Sequence, residues 1–331
     1  MQMKGKEWLF AFIMGIILPG LIFSIAEKSQ RKAPPEQIEA STTETSQTLP
    51  PQMEMPPENT RILVLQADGT FTEMGIDAYL TGVVLGEMPV SFDIEALKAQ
   101  VVVARTYTLK RSSTGQKHLR GAVCTVSSCC QAYCSVVDYL SMGGTQEEVN
   151  KVLSAISGTA DQVLTYQDAL IEATYFSCSG GRTEDALAVW GTDIPYLQAV
   201  DSPGEEGASH HTDAVQFTAK EFASLLGITT DAAPSKWLGA VTYTEGGGVA
   251  TMEIAGTVLK GTTIRQKLGL RSTAFTIMAV GNNIHISTKG FGHRVGMSQY
   301  GAEAMAVKGS DYKEILAHYY PGTTLKTYSQ N

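Results

Sequence analysis

The side chain best placed for acid–base chemistry in this sequence is Glu87. It follows the apolar residues 79–86 and directly precedes Met88 and Pro89, so it lies beside a break rather than within a regular element, since proline disfavours helix in the residue before it. A carboxyl group among apolar neighbours is partly desolvated, and desolvation raises its pKa towards the range that a general acid needs near neutral pH. A surface glutamate, or one that caps the following helix, fits the same residues.

A second cluster consists of His118, Cys124, Cys129 and Cys130, with the spacing His-x5-Cys-x4-Cys-Cys. Thiolates and a neutral imidazole are the ligands of tetrahedral zinc, and a site closed by four protein ligands is structural. The sequence therefore predicts a structural Zn²⁺ site. Cys134 is a rival ligand or a spare thiol. If the protein lies outside the cytoplasm, the cysteines can instead form a disulfide such as Cys124–Cys134. Ordinary buried thiols are a third interpretation.

Two segments rich in small residues are candidates for a ligand groove. Residues 176–181 offer serine hydroxyls, and the glycine-rich residues 290–301 carry His293, Ser298, Gln299 and Tyr300. A tight loop and a core histidine explain the same residues without a ligand. The glycine run is not followed by Lys-Ser/Thr as in a P-loop, which argues against nucleotide binding. Cys178 as a nucleophile with His293 as its base is a weaker alternative.

Composition restricts the partners of the chain. Its 331 residues carry 25 basic and 33 acidic side chains, a net charge of −8 without a basic run. Nucleic acid is excluded as an expected partner, because binding to phosphates needs clustered positive charge.

The chain is predicted to have four parts. Residues 1–7 form a cytoplasmic N-terminus, and residues 8–26 form nineteen consecutive positions without a charge, enough for a transmembrane signal anchor. A cleaved signal peptide is the alternative. Residues 27–60 contain six of the twelve prolines and six glutamates, which predicts a disordered linker rich in Pro, Glu and Thr. Residues 61–331 form the globular body.

Local patterns predict a single mixed α+β body. Strands are expected in residues 61–66, 70–74 and 163–166, and helices in residues 91–111, 150–159, 222–226, 298–308 and 310–319. The 91–111 helix is expected to begin near Ser91, with Asp93 and Glu95 in its first turn, close to the positive end of the helix dipole.

With these segments in order, the chain resembles the stage II sporulation protein D family of endospore-forming bacteria. The resemblance covers residues 61–323, the anchor and the linker. The strings that carry it are residues 79–89, 95–107, 130–133, 176–181, 189–191, 292–302 and 318–323.

The resemblance implies a membrane-anchored lytic transglycosylase, a carbon–oxygen lyase that acts on peptidoglycan during forespore engulfment. The family cleaves between N-acetylmuramic acid and N-acetylglucosamine in strands without stem peptides, and leaves 1,6-anhydro ends. Glu87 takes the position of the catalytic acid/base, and a His/Cys zinc site occurs in some members. The residues expected to line the glycan groove are Tyr175, Ser177, Ser179, His293, Gln299 and Tyr300.

The implied partners are the amidase stage II sporulation protein P and the membrane protein stage II sporulation protein M. The implied location is a single pass through the mother-cell membrane, with the catalytic body facing the space between mother cell and forespore. Three residues depart from the family pattern: Cys129, where relatives can have histidine, Arg294, where glycine is expected, and Cys178 between two serines.

Two other functions remain open. The body can be a peptidoglycan-binding module that activates an amidase without much cleavage of its own. A zinc hydrolase is weaker, because it needs an open metal position and the sequence has no HExxH motif.

Overall fold

Helices and short strands alternate along residues 60–115 and 117–329, the ranges that the computed structural model describes, and they confirm the α+β class. The helices are α1 (Ile76–Glu87), α2 (Ile94–Thr114), α3 (Val136–Ser141), α4 (Gln146–Ser157), α5 (Ala186–Trp190), α6 (Ala219–Leu226), α7 (Gly261–Leu268), α8 (Gln299–Val307) and α9 (Tyr312–Tyr319). The strands are β1 (Arg61–Leu65), β2 (Phe71–Gly75), β3 (Val123–Cys124), β4 (Gln162–Tyr166), β5 (Ala169–Leu170), β6 (Tyr175–Phe176), β7 (Thr212–Thr218), β8 (Leu238–Tyr243), β9 (Val249–Ile254), β10 (Thr257–Lys260), β11 (Ala274–Val280), β12 (Asn283–Lys289), β13 (Met297–Ser298) and β14 (Thr324–Thr327).

The predicted central helix is present as α2, but it begins later than expected. Asp93 is its N-cap, because the Asp93 carboxylate accepts a hydrogen bond from the Glu95 N–H at 2.8 Å. The prediction that Ser91 lies near the N-cap was therefore wrong by two residues. The helix ends at Gly115, which adopts the left-handed conformation common at helix C-termini.

Helix α1 is one of the helices that sequence patterns did not predict. Eight of its twelve residues are buried, on all sides of the helix, so the segment has no amphipathic stripe. It packs against α2 and against the chain before α3. A Cβ atom added to Gly82 would lie 2.2 Å from the Tyr133 ring, and one added to Gly86 would lie 2.8 Å from the Tyr133 backbone nitrogen. Both glycines thus permit a close approach of this chain segment to α1.

Two parallel strand pairs bring distant segments together. Strand β1 pairs with β2 in an antiparallel hairpin and with β3 in parallel, which places Cys124 opposite Leu65. Strand β13 pairs in parallel with β6, so that Met297 lies beside Tyr175. Because α8 follows β13 directly, this pairing also brings the start of α8 to β6.

The described residues contain two separate hydrophobic cores. The first includes Tyr79, Leu97 and Ile156 and joins α1, α2, α4, α8 and α9. The second lies within residues 212–289 and includes Phe222 and Trp237. It is covered by the antiparallel sheets β11-β12-β7 and β10-β9-β8. The body thus has two cores, where the sequence patterns predicted one mixed body.

No helix among the described residues is long and apolar enough to cross a membrane. The anchor predicted for residues 8–26 and the linker predicted for residues 27–60, except Thr60, lie outside the described residues.

The contact between Gly86 and the chain at Tyr133 predicts that Gly86→Ala destabilises the body. The new Cβ would meet backbone atoms, which cannot rotate away, so we expect the free energy of unfolding to fall by about 2 kcal/mol. Gly207→Ala is the control, because nothing lies within 4 Å of a Cβ at that position. Denaturant unfolding measures both variants, and equal midpoints for Gly86→Ala and the parent would contradict the packing described.

Candidate active site and metal-ligand cluster

Glu87 is the last residue of α1, at the point where the helix stops before Pro89. The helix ends here because Met88 adopts an extended conformation as the C-cap, with its N–H still bonded to the Val84 carbonyl. The Glu87 side chain is partly buried. Its Oε1 accepts a hydrogen bond from the Ala132 N–H at 2.5 Å. Glu87 is thus held between a helix terminus and the chain that follows the cysteines.

Burial raises the pKa of Glu87, and the contacts with the Ala132 N–H and with the Tyr175 side chain act in the opposite direction without cancelling the effect. A raised pKa keeps part of the carboxyl population protonated closer to neutral pH. No charged side chain among the described residues contributes to this shift. Desolvation is therefore its cause, as the apolar sequence around Glu87 predicts.

A chain of hydrogen bonds leads from the neighbourhood of Glu87 into the core. The Tyr175 phenol faces Glu87 and donates to Gln131 Oε1 at 3.0 Å. Gln131 Nε2 donates in turn to Thr108 Oγ1, also at 3.0 Å. Gln131 is 1% exposed and lies immediately before Ala132. Tyr175, predicted to line the groove, thus reaches the carboxyl itself.

Gln299 is the third side chain beside Glu87, at the start of α8. It is 5% exposed, and its Nε2 has no partner within hydrogen-bond distance among the described residues. A weaker contact with Gln299 still lowers the pKa of Glu87 slightly against the larger effect of burial. A buried amide with a free donor next to the carboxyl is suited to a substrate oxygen.

The four predicted metal ligands converge. One ligand atom from each of His118, Cys124, Cys129 and Cys130 lies within 4.8 Å of the other three. His118 Nε2 is 3.3 Å from Cys129 Sγ and 3.5 Å from Cys130 Sγ. A zinc tetrahedron with ordinary bond lengths has S···N edges of about 3.6 Å. The donor set and its spacing therefore fit a closed tetrahedral zinc site.

Local turns explain why both neighbouring cysteines face the same centre. The N–H groups of Cys129 and Cys130 both donate to the Val126 carbonyl at 2.9 Å, which folds the chain back after β3. Cys134 is not part of the cluster, and its Sγ contacts the Ser135 carbonyl at 3.6 Å. All five cysteines are free thiols, so the disulfide alternative is not present.

The cysteine segment, residues 124–134, is also hydrogen-bonded to α1, the helix that ends at Glu87. The Tyr79 hydroxyl donates to the Cys124 carbonyl at 2.9 Å, and the Cys134 N–H donates to the Gly82 carbonyl at 2.9 Å. Ala132, which bonds Glu87, lies between these two attachments. The metal-ligand cluster and the candidate catalytic carboxyl are therefore parts of one local structure.

The other predicted groove residues fall into two groups. Ser177 and Tyr300 lie together, because the Tyr300 N–H donates to the Ser177 carbonyl at 3.0 Å. Both are partly exposed, and the Tyr300 ring packs edge-on against Phe92. They directly follow Phe176 and Gln299 in the chain, and Gln299 contacts Glu87.

His293 lies partly exposed between two aromatic rings, Phe176 at 5.7 Å and Trp190 at 5.5 Å between ring centroids. Burial, with a smaller effect of the nearby Arg265 cation, lowers the pKa of His293 to about 4. Its Nδ1 accepts a hydrogen bond from the Val295 N–H at 3.1 Å. His293 is therefore neutral near pH 7, and its ring offers an apolar face next to Trp190.

Ser179 is completely buried, and its polar groups form hydrogen bonds within the protein interior instead of lining an open groove. Its hydroxyl donates to Glu205 Oε1 at 2.9 Å, and its N–H donates to Glu205 Oε2 at 2.7 Å. Cys178 Sγ lies 3.0 Å from the same carboxylate, and burial followed by Glu205 raises the pKa of its thiol to about 12. Cys178 therefore faces Glu205 as a protonated thiol, and the nucleophile alternative with His293 was wrong.

Arg294, which stands where glycine is expected, has a left-handed backbone with φ 67°. Glycine adopts this conformation without strain, which explains the family pattern at this position. Its guanidinium is buried and pairs with Glu184 at 3.2 Å. It also donates to the carbonyls of Ser179, Arg182 and Gly246. The arginine thus connects the serine-rich segment to the β8–β9 turn.

Sequence analysis missed three residues of this site. Gln131 was part of a motif without an assigned role, and Glu205 had no local signal at all. Trp190 is 43% exposed beside His293, an unusual position for the largest apolar side chain, and such a ring is suited to stacking on sugars. An exposed tryptophan cannot be told from a buried one in a single sequence.

Comparison with known proteins gives a consistent family. A family model described as "Stage II sporulation protein" matches residues 67–166. Stage II sporulation protein D of Bacillus subtilis (strain 168) is 39% identical over 264 residues, which cover 78% of this chain and 76% of the relative. The protein of the same name from Bacillus amyloliquefaciens is 40% identical over 255 residues, 76% of this chain and 74% of its own length. The amidase enhancer of Bacillus subtilis (strain 168) is 29% identical over 302 residues, which cover 75% of this chain and 40% of the enhancer.

The contacts of Glu205 predict that Glu205→Gln destabilises the segment around Ser179. An amide nitrogen would replace one carboxylate oxygen and face buried donors, so we expect the free energy of unfolding to fall by about 3 kcal/mol. The neighbouring Glu206 is exposed, and Glu206→Gln is the matched control with no expected change. Denaturant unfolding distinguishes the two, and equal stability of both variants would show that Glu205 is not the anchor described.

Proposed function

The chain belongs to the stage II sporulation protein D family, and from that premise we propose that it is a peptidoglycan lytic transglycosylase with Glu87 as its acid/base. The substrate is a glycan strand without stem peptides, cleaved between N-acetylmuramic acid and N-acetylglucosamine. The observation that carries the proposal is a partly buried carboxyl with a raised pKa, fixed by a backbone N–H and flanked by Tyr175 and Gln299.

Three carboxylates around the start of α2 are engaged in structural roles. Asp93 caps α2, and Glu95 accepts hydrogen bonds from Lys98 at 2.6 Å and from the Tyr312 N–H at 3.0 Å. Glu303 accepts from the Asp93 N–H at 2.6 Å. Hydrolytic glycosidases generally need two carboxyl groups, whereas a lytic transglycosylase can use one. No other carboxylate among the described residues affects the ionisation of Glu87, which favours the second reaction.

The proposed reaction moves one proton out of Glu87 and one proton back. Protonated Glu87 donates to the glycosidic oxygen, and the N-acetylglucosamine end leaves as an alcohol. The resulting carboxylate then accepts the proton of the C6 hydroxyl of N-acetylmuramic acid as that oxygen bonds to the anomeric carbon. The product is a 1,6-anhydro end, and no water is consumed. Because the nucleophile belongs to the same sugar, no second side chain is needed to position it.

We further propose that His118, Cys124, Cys129 and Cys130 hold a structural zinc ion. When bound, zinc would crosslink His118, which precedes β3, to Cys124 of β3 and to the two cysteines that follow it, and it would contribute directly to folding. These residues would keep Ala132 in place against Glu87, because Ala132 follows the last ligand by two positions. The four-ligand closure disfavours a zinc hydrolase, which needs an open position.

The cellular part of the proposal follows the family. We place the protein in the mother-cell membrane through residues 8–26, with the body outside the cytoplasm, where it takes part in septal peptidoglycan remodelling. Stage II sporulation proteins P and M are the proposed partners. The body from residue 61 needs no basic surface for this substrate, since glycan recognition depends on shape and hydrogen bonds.

A second candidate function is a peptidoglycan-binding module that activates an amidase. The amidase enhancer, 29% identical over much of this chain, is the observation that favours it. The same groove serves both functions, so they differ only in whether Glu87 performs chemistry.

The test compares the full chain with its Glu87→Gln variant on purified strands without stem peptides, with products identified by mass spectrometry. We expect 1,6-anhydro ends from the parent, and a loss of at least about a thousandfold in Glu87→Gln, because the amide cannot supply an acid. Asp231→Asn, an exposed change in the second core region, is the control and should retain full activity.

Three outcomes separate the candidate functions. Reducing ends instead of anhydro ends would require a water nucleophile and a second carboxyl. Strand binding by a folded parent without cleavage, together with stimulation of an amidase, would support the binding module. Cleavage by Glu87→Gln at the parental rate would remove Glu87 from the chemistry.

The zinc proposal is tested with a matched pair of thiols. We expect Cys124→Ser to lose most of the bound zinc and more than about 3 kcal/mol of stability, because structural zinc contributes several times that amount in small domains. Cys134→Ser should retain one zinc per chain and parental stability, since this thiol lies outside the cluster. Elemental analysis and denaturant unfolding provide the readouts. Equal zinc content in both variants would refute the ligand set.

A further inference from the structure

An exposed aromatic ring, Phe291, belongs to the glycine-rich residues 290–301 but has no part in the proposed reaction. Its N–H donates to the Cys178 carbonyl at 2.7 Å, and its carbonyl accepts from the Cys178 N–H at 3.2 Å. The N–H groups of the two flanking glycines donate to the carbonyls of His211 and Arg271, at 2.8 and 3.1 Å. Phe291 is nevertheless 39% exposed. A backbone fixed from both sides thus presents a large apolar ring to solvent.

Two polar side chains pack against this ring and orient each other. The Arg271 guanidinium lies over the Phe291 ring, with its Cζ 5.5 Å from the ring centre, and the His210 ring packs against it edge-on at 5.2 Å between centroids. Arg271 Nη1 donates to His210 Nδ1 at 2.6 Å, and Arg271 Nε pairs with Asp213 at 3.1 Å. The guanidinium is therefore fixed through Nε and Nη1, while Nη2 has no partner among the described residues.

His210 contributes a second free donor. A guanidinium cannot accept a hydrogen bond, so His210 Nδ1 is the acceptor in this pair and the ring proton lies on Nε2. Burial, followed by the Arg271 cation, lowers the pKa of His210, so the imidazole is neutral near pH 7. Its Nε2 has no partner among the described residues. The cluster thus offers donors on Arg271 and His210 beside an exposed ring.

The charges at this end of the β11-β12-β7 sheet favour an anion. Lys289, the last residue of β12, is exposed and lies opposite Thr212 of β7. The cations of Arg271 and Lys289 thus outweigh the Asp213 carboxylate at these strand ends. An apolar ring next to a cation and free donors is suited to a sugar with an anionic substituent, because the ring packs on the sugar and the donors bind the anion.

The cluster adjoins two residues that were predicted to line the glycan groove. The Tyr300 hydroxyl lies 3.5 Å from Ser209 Oγ, and Ser209 directly precedes His210. The Tyr300 N–H donates in turn to the Ser177 carbonyl at 3.0 Å. The exposed ring and its donors are therefore neighbours of the expected groove and belong to a separate part of the surface from Glu87.

We propose that Phe291, Arg271 and His210 form a glycan subsite that binds the free lactyl carboxylate of N-acetylmuramic acid. The inference deepens the proposed function and rests on it for the identity of the strand. N-acetylmuramic acid carries a lactyl ether whose carboxyl group forms an amide with the stem peptide. Loss of the peptide leaves a carboxylate, which is the group that distinguishes the proposed substrate from a strand that keeps its peptides. Phe291 packs on the sugar ring, and the other two side chains donate to the carboxylate.

The experiment removes the carboxylate from the strand and the guanidinium from the protein. Calorimetry measures strand binding to the full chain carrying Glu87→Gln, so that the strands stay intact. One ligand is short strands without stem peptides, and the other is the same strands with their lactyl carboxylates converted to methylamides. We expect the carboxylate strands to bind about tenfold more tightly, because the amide loses a charge-assisted hydrogen bond at a partly exposed site. Arg271→Gln, added to this chain, should bind both ligands equally weakly.

Three further variants separate the parts of the subsite. Arg271→Lys keeps the charge without the planar fork and should retain part of the preference for carboxylate strands. Phe291→Ala should weaken both ligands alike, because the ring contacts the sugar and not the carboxylate. Arg61→Gln is the matched control, since Arg61 is also a surface arginine paired with a carboxylate, that of Glu73 at 2.9 Å, and it should bind like the parent. Unfolding is measured for every variant.

An undiminished preference for carboxylate strands in Arg271→Gln would overturn the inference. Strands that keep their stem peptides provide a second test. If they bind as tightly as bare strands and lose this affinity in Arg271→Gln, the site binds a peptide carboxylate instead, which also overturns the inference. If Arg271→Gln does not fold, the parent decides, because equal binding of carboxylate and methylamide strands excludes the subsite.

The binding cycle needs no cleavage, so it can fail or succeed independently of the proposed function. The expected coupling in a protein whose parent chain yields no anhydro ends would refute the transglycosylase and leave the subsite standing. Anhydro ends from the parent without the coupling would refute the subsite alone.

Discussion

The site depends on one backbone contact, the hydrogen bond from the Ala132 N–H to the Glu87 carboxyl. The donor belongs to a segment without regular secondary structure, so no helix or sheet holds it in place. Three other constraints do so: the convergence of four metal-type side chains before it, the bonds that tie the segment to α1, and the absence of side chains at Gly82 and Gly86. Together they hold the Ala132 N–H against a carboxyl whose pKa desolvation raises.

The parts of this site that sequence reasoning predicted have strong local signals. His118 and the three cysteines lie within thirteen positions, and their side-chain chemistry is selective, so a cluster follows from spacing alone. Glu87 was placed beside a break because Pro89 restricts the chain before it. The partners of Glu87 are different, since Ala132 is 45 residues away in sequence. Contacts of that range arise from tertiary packing, and no periodicity in one sequence encodes them.

The fold shows the same division between local and long-range information. Helix α2 was predicted because it has acidic residues at its start and basic residues at its end. Helix α1 was missed because valine and glycine have low helix propensity and because burial on every side removes the amphipathic pattern. Ser179 illustrates a further limit. A serine between small residues suits a ligand loop, yet here its hydroxyl satisfies Glu205, a buried carboxylate whose position only the folded chain reveals.

Arg294 shows how a departure from a family pattern is absorbed. A left-handed backbone costs a non-glycine residue energy, and a buried guanidinium costs more unless its donors are satisfied. Local contacts of the guanidinium offset these costs, since it pairs with Glu184 and donates to three carbonyls. One of these carbonyls belongs to Gly246, in the turn between β8 and β9. That turn requires glycine, because a Cβ at Gly246 would lie 2.5 Å from a Glu184 oxygen. Arg294 therefore replaces glycine among the residues that hold the serine-rich segment 176–181 in place. It changes none of the groups that contact Glu87.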